Sequence, residues 1–208
     1  MNKYISLILM QRLLDLPYID KPGGMVQTLK KVIPNVEGKP VVKRIPFSAV
    51  HQAPANCDLS QATALQFVPE SKLKGMFYFE DNGSSPDTGI RTTSLTHWRS
   101  RLRMVVWLNQ KKLTEAYDIT FASKVMNEMI GKLLVRSENH EYFKLLSIEV
   151  GNIAPQTASI FSDWDYNEEE TQFLMPPYDF FAVDFDIRFG IPRNCVVPVI
   201  PAEDLPNC

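Results

Sequence analysis

Two carboxylates at strand spacing are the chain's best opening for chemistry. Asp184 and Asp186 form a D-x-D within YDFFAVDFDIRF, and residues two apart in a strand project from the same face. Two-metal nucleotidyl transfer uses such a pair to hold cations about 3.5–4 Å apart. It also needs a third carboxylate and a phosphate-binding loop, and no glycine–serine loop precedes this pair. Arg99, Arg101 and Arg103 offer a simpler use for the aspartates. Opposite charges paired across strands contribute roughly 0.2–1 kcal/mol each.

The other polar residues assemble no reaction centre in the sequence. His51, His97 and His140 lie in separate segments without metal-ligand spacing, and HExxH is absent. They read as surface or turn histidines, and no flanking motif supports a Cys–His nucleophile. Cys57, Cys195 and Cys208 are far apart and lack CxxC spacing. They read as reduced thiols in a cytosolic setting, not as a disulfide framework or a zinc site. Arg99, Arg101 and Arg103 with Trp98 and Trp107 have the ingredients of a single-strand nucleic-acid site. No RRM, KH or cold-shock signature accompanies them. Asp163, Asp165, Glu168, Glu169 and Glu170 make an acidic stretch without the glycine and terminal glutamate of an EF-hand loop. Gly23-Gly24 lacks the Lys-Ser/Thr of a P-loop and reads as a turn. The expectation is a protein without catalytic residues, metal or cofactor.

Composition narrows the class further. The 208 residues carry Lys+Arg 22 against Asp+Glu 24, a formal net charge of -2. This opposes a dedicated nucleic-acid binder, whose affinity rests on clustered cations. In MNKYISLILMQRLLDL the apolar run is broken by Gln11, Arg12 and Asp15, too early for a signal core or a membrane span. The unusual count is 15 prolines against 9 glycines, crowded into Pro17–Pro69 and Pro176–Pro206.

The elements that must position these residues follow from periodicity. Ile5, Leu9, Leu13 and Leu16 predict a helix over residues 1–16, ended by Pro17. Residues 17–74 read as a proline-rich arm or insertion, in which short pieces such as Val41–Ile45 can pair at a sheet edge. Gly75–Glu80 is a strand, and Asp81–Gly89 (DNGSSPDTG) is a loop in which Asn82-Gly83 marks a positive φ. In Leu95–Leu108, Leu102, Met104, Val106 and Leu108 face one way and the arginines the other. Thr114–Leu134 is the strongest helix, striped by Ala122, Val125, Met126, Met129, Ile130, Leu133 and Leu134. Tyr142–Val150 is a strand, and Trp164–Glu170 an exposed acidic loop or short helix. In Tyr178–Phe189, Phe181, Val183, Phe185, Ile187 and Phe189 alternate with Asp184, Asp186 and Arg188, so a one-residue slip would bury charge. Ile191–Cys208 reads as an extended C-terminal arm.

The expected fold is a single α+β domain. A mostly antiparallel four-stranded sheet within residues 75–190 is packed by one long helix, flanked by extended proline-rich N- and C-terminal arms. This order of elements resembles the tail-terminator, neck and head-completion proteins of tailed bacteriophages. The residues that carry the likeness are RSRLRMVVWLNQKKL (Arg99–Leu113), the helix Thr114–Leu134 and YDFFAVDFDIRFGIPRNC (Tyr178–Cys195). The size is similar to the small neck ring proteins of the crAss-like phages.

The resemblance implies a non-enzymatic virion subunit, made in the bacterial host cytoplasm. It would close into a homo-oligomeric ring between portal or capsid and tail. Its partners would be further copies of itself and the portal or other neck and tail ring proteins. It would line a DNA channel without reading sequence and would have no membrane contact. The candidate subunit interface is the arginine face (Arg99, Arg101, Arg103), the acidic residues Asp163, Asp165, Glu168, Glu169 and Glu170, the aspartates Asp184 and Asp186, and the arm beginning at Ile191 and Pro192. Stiff proline-rich arms suit that role, because they lose less entropy on docking than flexible ones.

Overall fold

The computed structural model describes residues 1–34, 40–49, 66–89, 94–134, 137–156, 158–165 and 172–192. Among the described residues three short helices, α1 (Asn2–Gln11), α2 (Gln110–Leu113) and α3 (Phe121–Leu133), accompany seven strands. These are β1 (Lys21–Pro34), β2 (Pro40–Ser48), β3 (Gly75–Pro86), β4 (Leu95–Asn109), β5 (Glu138–Asn139), β6 (Lys144–Pro155) and β7 (Tyr178–Pro192). They form one sheet in the order β2-β1-β3-β4-β7-β6-β5. The pair β1/β3 is parallel and every other pairing is antiparallel.

This overturns the expected four-stranded sheet under one long helix. The sheet has seven strands and is mixed, and its helices are short. Residues expected to form the N-terminal arm supply β1 and β2, with Met25 and Val26 buried. The prolines do not prevent this, because of where they fall. Pro46 stands opposite Thr28, and its carbonyl accepts the Phe67 N–H at 2.8 Å on the outer side of β2. A residue whose main-chain groups point outward owes no N–H to its partner strand, so proline is tolerated there. Pro34 and Pro40 pair at the far end of the ribbon.

The long helix is shortened for an equally local reason. The Asp118 carboxylate accepts from the Thr120 N–H (2.8 Å) and hydroxyl (2.7 Å) and pairs with Lys124, which starts α3 at Phe121 rather than Thr114. Asp118 is thereby held down to about 2, chiefly by the Lys124 hydrogen bond. The C-terminal boundary also moves. β7 runs through Ile191 and Pro192, which pair with Thr96 and Leu95, and the rest of the expected arm, residues 193–208, lies outside the described residues.

Both sheet faces carry apolar clusters. On one, α1 and α3 cover Phe77, Phe79, Leu102, Met104, Val106 and the five alternating side chains of β7, Phe181 to Phe189. Each such burial contributes about 1.5–3 kcal/mol, so this face dominates the stability. On the other, Met76, Tyr78, Val105, Trp107, Phe180 and Ala182 lie beneath Ile160, Phe161 and Phe173 of two 3₁₀ turns. That cover reaches only one half of the face.

Gly23-Gly24, expected as a turn, instead lies inside β1 where its register on β3 shifts. A Cβ on Gly23 would sit 2.4 Å from the Phe67 ring and 2.9 Å from the Phe77 carbonyl oxygen. Gly23→Ala is therefore expected to destabilise the fold by about 1–3 kcal/mol through overpacking. Urea titration would show it as a lower midpoint at unchanged slope. Gly83 has the positive φ (96°) expected of Asn82-Gly83, but as a bulge in a strand continuing to Pro86 rather than in an open loop.

Candidate functional site

The half of the second face that the two 3₁₀ turns do not reach is charged, and the alternation of β4 and β7 places it there. With Leu102, Met104, Phe185 and Ile187 turned toward the helices, Arg99, Arg101, Arg103, Asp184, Asp186 and Arg188 must share the other side. Register sets Arg101 opposite Asp186, Arg103 opposite Asp184, and Arg99 opposite Arg188. Arg99 grips Asp186 with Nε to Oδ1 at 3.0 Å and Nη2 to Oδ2 at 2.8 Å. Arg103 grips Asp184 with Nε to Oδ1 at 2.8 Å and Nη2 to Oδ2 at 3.4 Å. These hydrogen bonds hold Arg99 and Arg103 still more firmly protonated than free arginine. Arg188 lies between Asp87 (3.8 Å) and Glu149 (3.9 Å). Arg101 is held most loosely of the three strand arginines, 3.6 Å from Asp186 with its side chain 65% exposed.

The D-x-D is thus committed to guanidinium groups, as cross-strand pairing requires. Among the described residues no three His, Cys, Asp or Glu side chains are grouped to hold a metal ion. The aromatic residues do not interleave with the arginines either. Trp107 is fully buried, and Trp98 faces the helix-covered side. His97, expected at the surface, is buried in β4. His140 stacks on Phe143 at 4.9 Å beside Glu138. His51, Glu168, Glu169, Glu170 and all three cysteines lie outside the described residues.

A cleft of about 320 Å³ adjoins the charged half, where β1 leaves β3 to pair with β2 alone. Thr28, Arg44, Glu80, Asp81, Asp163 and Trp164 line it. Asp165 straps this segment to the edge of β2. Its carboxylate accepts from the Arg44 main-chain N–H (2.9 Å), Nε (3.1 Å) and Nη2 (3.3 Å), and its own N–H donates to the Arg44 carbonyl at 2.9 Å. Trp164 Nε1–H donates to Glu80 Oε1 at 3.1 Å. Burial pushes Glu80 up to about 7, against the opposing pull of the Trp164 N–H and Arg103, with Asp163 and Asp184 adding to the rise. Glu80 therefore changes charge near neutral pH.

Sequence reasoning placed Asp163 and Asp165 on an exposed acidic loop. The structure makes them part of this cleft and of the β2 edge. Glu80 and Arg44 were not anticipated. One signal for Glu80 was available: it follows Met76 and Tyr78 at strand period, on a side that is otherwise buried.

A second missed group is Asp179, buried at the start of β7. It accepts from Gln110 Nε2 and from the Tyr117 hydroxyl at 3.3 Å. Gln110 also bonds the Asp118 main chain in both directions (2.8 and 3.0 Å), anchoring the α2–α3 connection. Two buried polar groups that satisfy each other suit a structural role.

Compared with known proteins, the chain matches no family model, and no curated protein is significantly similar to it. No helix among the described residues is long and apolar enough to cross a membrane.

Proposed function

We propose that this chain is a non-catalytic structural subunit of a tailed-bacteriophage virion, made in the host cytoplasm. It forms a homo-oligomeric ring in the neck or tail that joins portal or capsid components to the tail. The observation that carries this reading is a single sheet with unlike ends. A basic two-stranded ribbon leaves it at one end, and at the other β6 is flanked only by the two-residue β5. A ring built through heterologous contacts needs two different complementary patches on each subunit. The order of helices and strands that resembles phage neck and tail-terminator proteins supplies the biological setting. The D-x-D favours assembly over nucleotidyl transfer, because both aspartates already serve as partners of Arg99 and Arg103.

Negative-stain electron microscopy and mass photometry of the purified chain test this directly. Closed rings, or decoration of portal particles, are the expected result. A strict monomer that cleaves DNA with a divalent cation would sink the proposal. The C-terminal arm has its own test, and truncation must start at Arg193, since Ile191 and Pro192 belong to β7. Removing residues 193–208 is expected to leave thermal unfolding nearly unchanged while reducing ring formation. Undiminished ring formation would remove the arm from the assembly.

A further inference from the structure

The main-chain geometry of the ribbon leaves a pairing edge that no described strand fills. In an antiparallel pair, opposed residues alternate between bonding to each other and both pointing outward. On β2, Arg44 and Pro46 point outward, since Asp165 takes the Arg44 N–H and carbonyl and Phe67 takes the Pro46 carbonyl. Their partners across the ribbon are Lys30 and Thr28. These must therefore point their main-chain groups away from β2, beyond Met25–Phe79, the last pairing of β1 with β3. Among the described residues no strand lies on that edge. A two-stranded ribbon is marginal by itself, and a third strand stabilises it.

The opposite end of the sheet presents the complement. β5 pairs with β6 only at Lys144 and Leu145, so from Ser147 onward the outer edge of β6 has no strand beside it among the described residues. Register shifts at Leu145/Ser147 and Val150/Ile153 leave Ser147–Val150 as the regular run. Edge strands are commonly protected by lysine, and this run has none.

Charge and side match as well. The ribbon places Lys30 opposite Arg44, and like charges directly opposed are destabilising. Asp165 answers Arg44, whereas Lys30 is exposed with no ion-pair partner among the described residues. Lys30 lies at strand period from Val26, on the same side of the sheet as the charged half-face. Glu149 reaches Arg188 on that side and keeps 53% of its side chain exposed.

We propose that, between copies of this chain, Ser147–Val150 of one pairs with the Thr28–Lys30 edge of the next, bringing Glu149 onto Lys30. This rests on the ring reading and names its contact. Strand addition supplies main-chain hydrogen bonds, and the charge pair fixes register.

The test uses the full chain, scored by mass photometry and electron microscopy at a concentration where it assembles. Lys30→Glu and Glu149→Lys should each lower the assembled fraction about tenfold or more, and the double exchange should restore it, because like-charge contacts disfavour association. Thr28→Pro removes one outward N–H on a rung where the partner is already proline. It should weaken assembly where Thr28→Ala does not. Rings that persist unchanged through both single reversals, or a double exchange that fails to recover, overturn the pairing and leave the ring reading standing. A wild-type chain that never assembles overturns both.

Discussion

Replacing Trp107 with alanine is expected to cost about 3–5 kcal/mol, the range for deleting a large aromatic side chain from a core. Trp107 is fully buried on the face opposite the helices. Its ring stacks on Tyr178 (5.4 Å, 19° between planes) and meets Phe173 edge-on at 6.5 Å. Its Nε1–H donates to the Phe173 carbonyl at 2.7 Å. One side chain thus fastens the second 3₁₀ turn to the C-terminal end of β4. Alanine would leave a cavity beneath that turn and an unanswered carbonyl within it. Trp107→Phe keeps part of the ring contact while losing the donor and some of the packing, so its cost should be smaller, about 1–3 kcal/mol. Denaturant unfolding of both variants checks the order. Equal midpoints for wild type and Trp107→Ala would show that this turn contributes nothing to the cooperative fold.

Glu80→Gln should stabilise the protein, and only where the pH is high enough to ionise Glu80. Burial raises its carboxyl from the ordinary glutamate value of 4.5 to about 7. The folded chain therefore holds this proton more tightly than the unfolded chain. The resulting stability is fully present below about 4.5 and is lost as pH rises through about 7. Glutamine retains an oxygen for the Trp164 N–H and never ionises. The variant should match wild type at pH 4 and exceed it by about 1–3 kcal/mol at pH 8, a range reduced for the partial exposure of the site. Urea midpoints across that range are the measurement. A constant offset at all pH values would place the effect in packing rather than in the carboxyl.

Because Glu80 lies in the cleft beside Trp164 and Arg103, its ionisation adds charge next to the ribbon edge. The assembly variants at Lys30 and Glu149 are best compared at one fixed pH for that reason.

What could be read from the residues in order was whatever strand or helix period dictates locally. β4 and β7 are the clearest case. Five aromatic or branched side chains alternating with Asp184, Asp186 and Arg188 permit one register, and cross-strand charge pairing follows from it. The helical stripe through Val125, Met129 and Leu133 likewise marks a buried helix face. The extent of α3 was less legible, because the apolar stripe does not mark where the helix begins and an Asx turn at Asp118 sets its start.

Tertiary structure alone decided the rest. The prolines of residues 17–74 read as an arm, because a proline missing its N–H argues against a central strand. That argument holds only toward a partner, and nothing local says which way Pro46 points. The parallel β1/β3 pair and the bulge at Gly23 depend on contacts far away in sequence. The site behaves in the same way. Alternation placed Arg99, Arg101, Arg103, Asp184 and Asp186 on one face. Only packing could bring Trp164 onto Glu80 and Asp165 onto Arg44, 84 and 121 residues apart in the chain. Period sets which side a residue faces, whereas long-range pairing decides what meets it there.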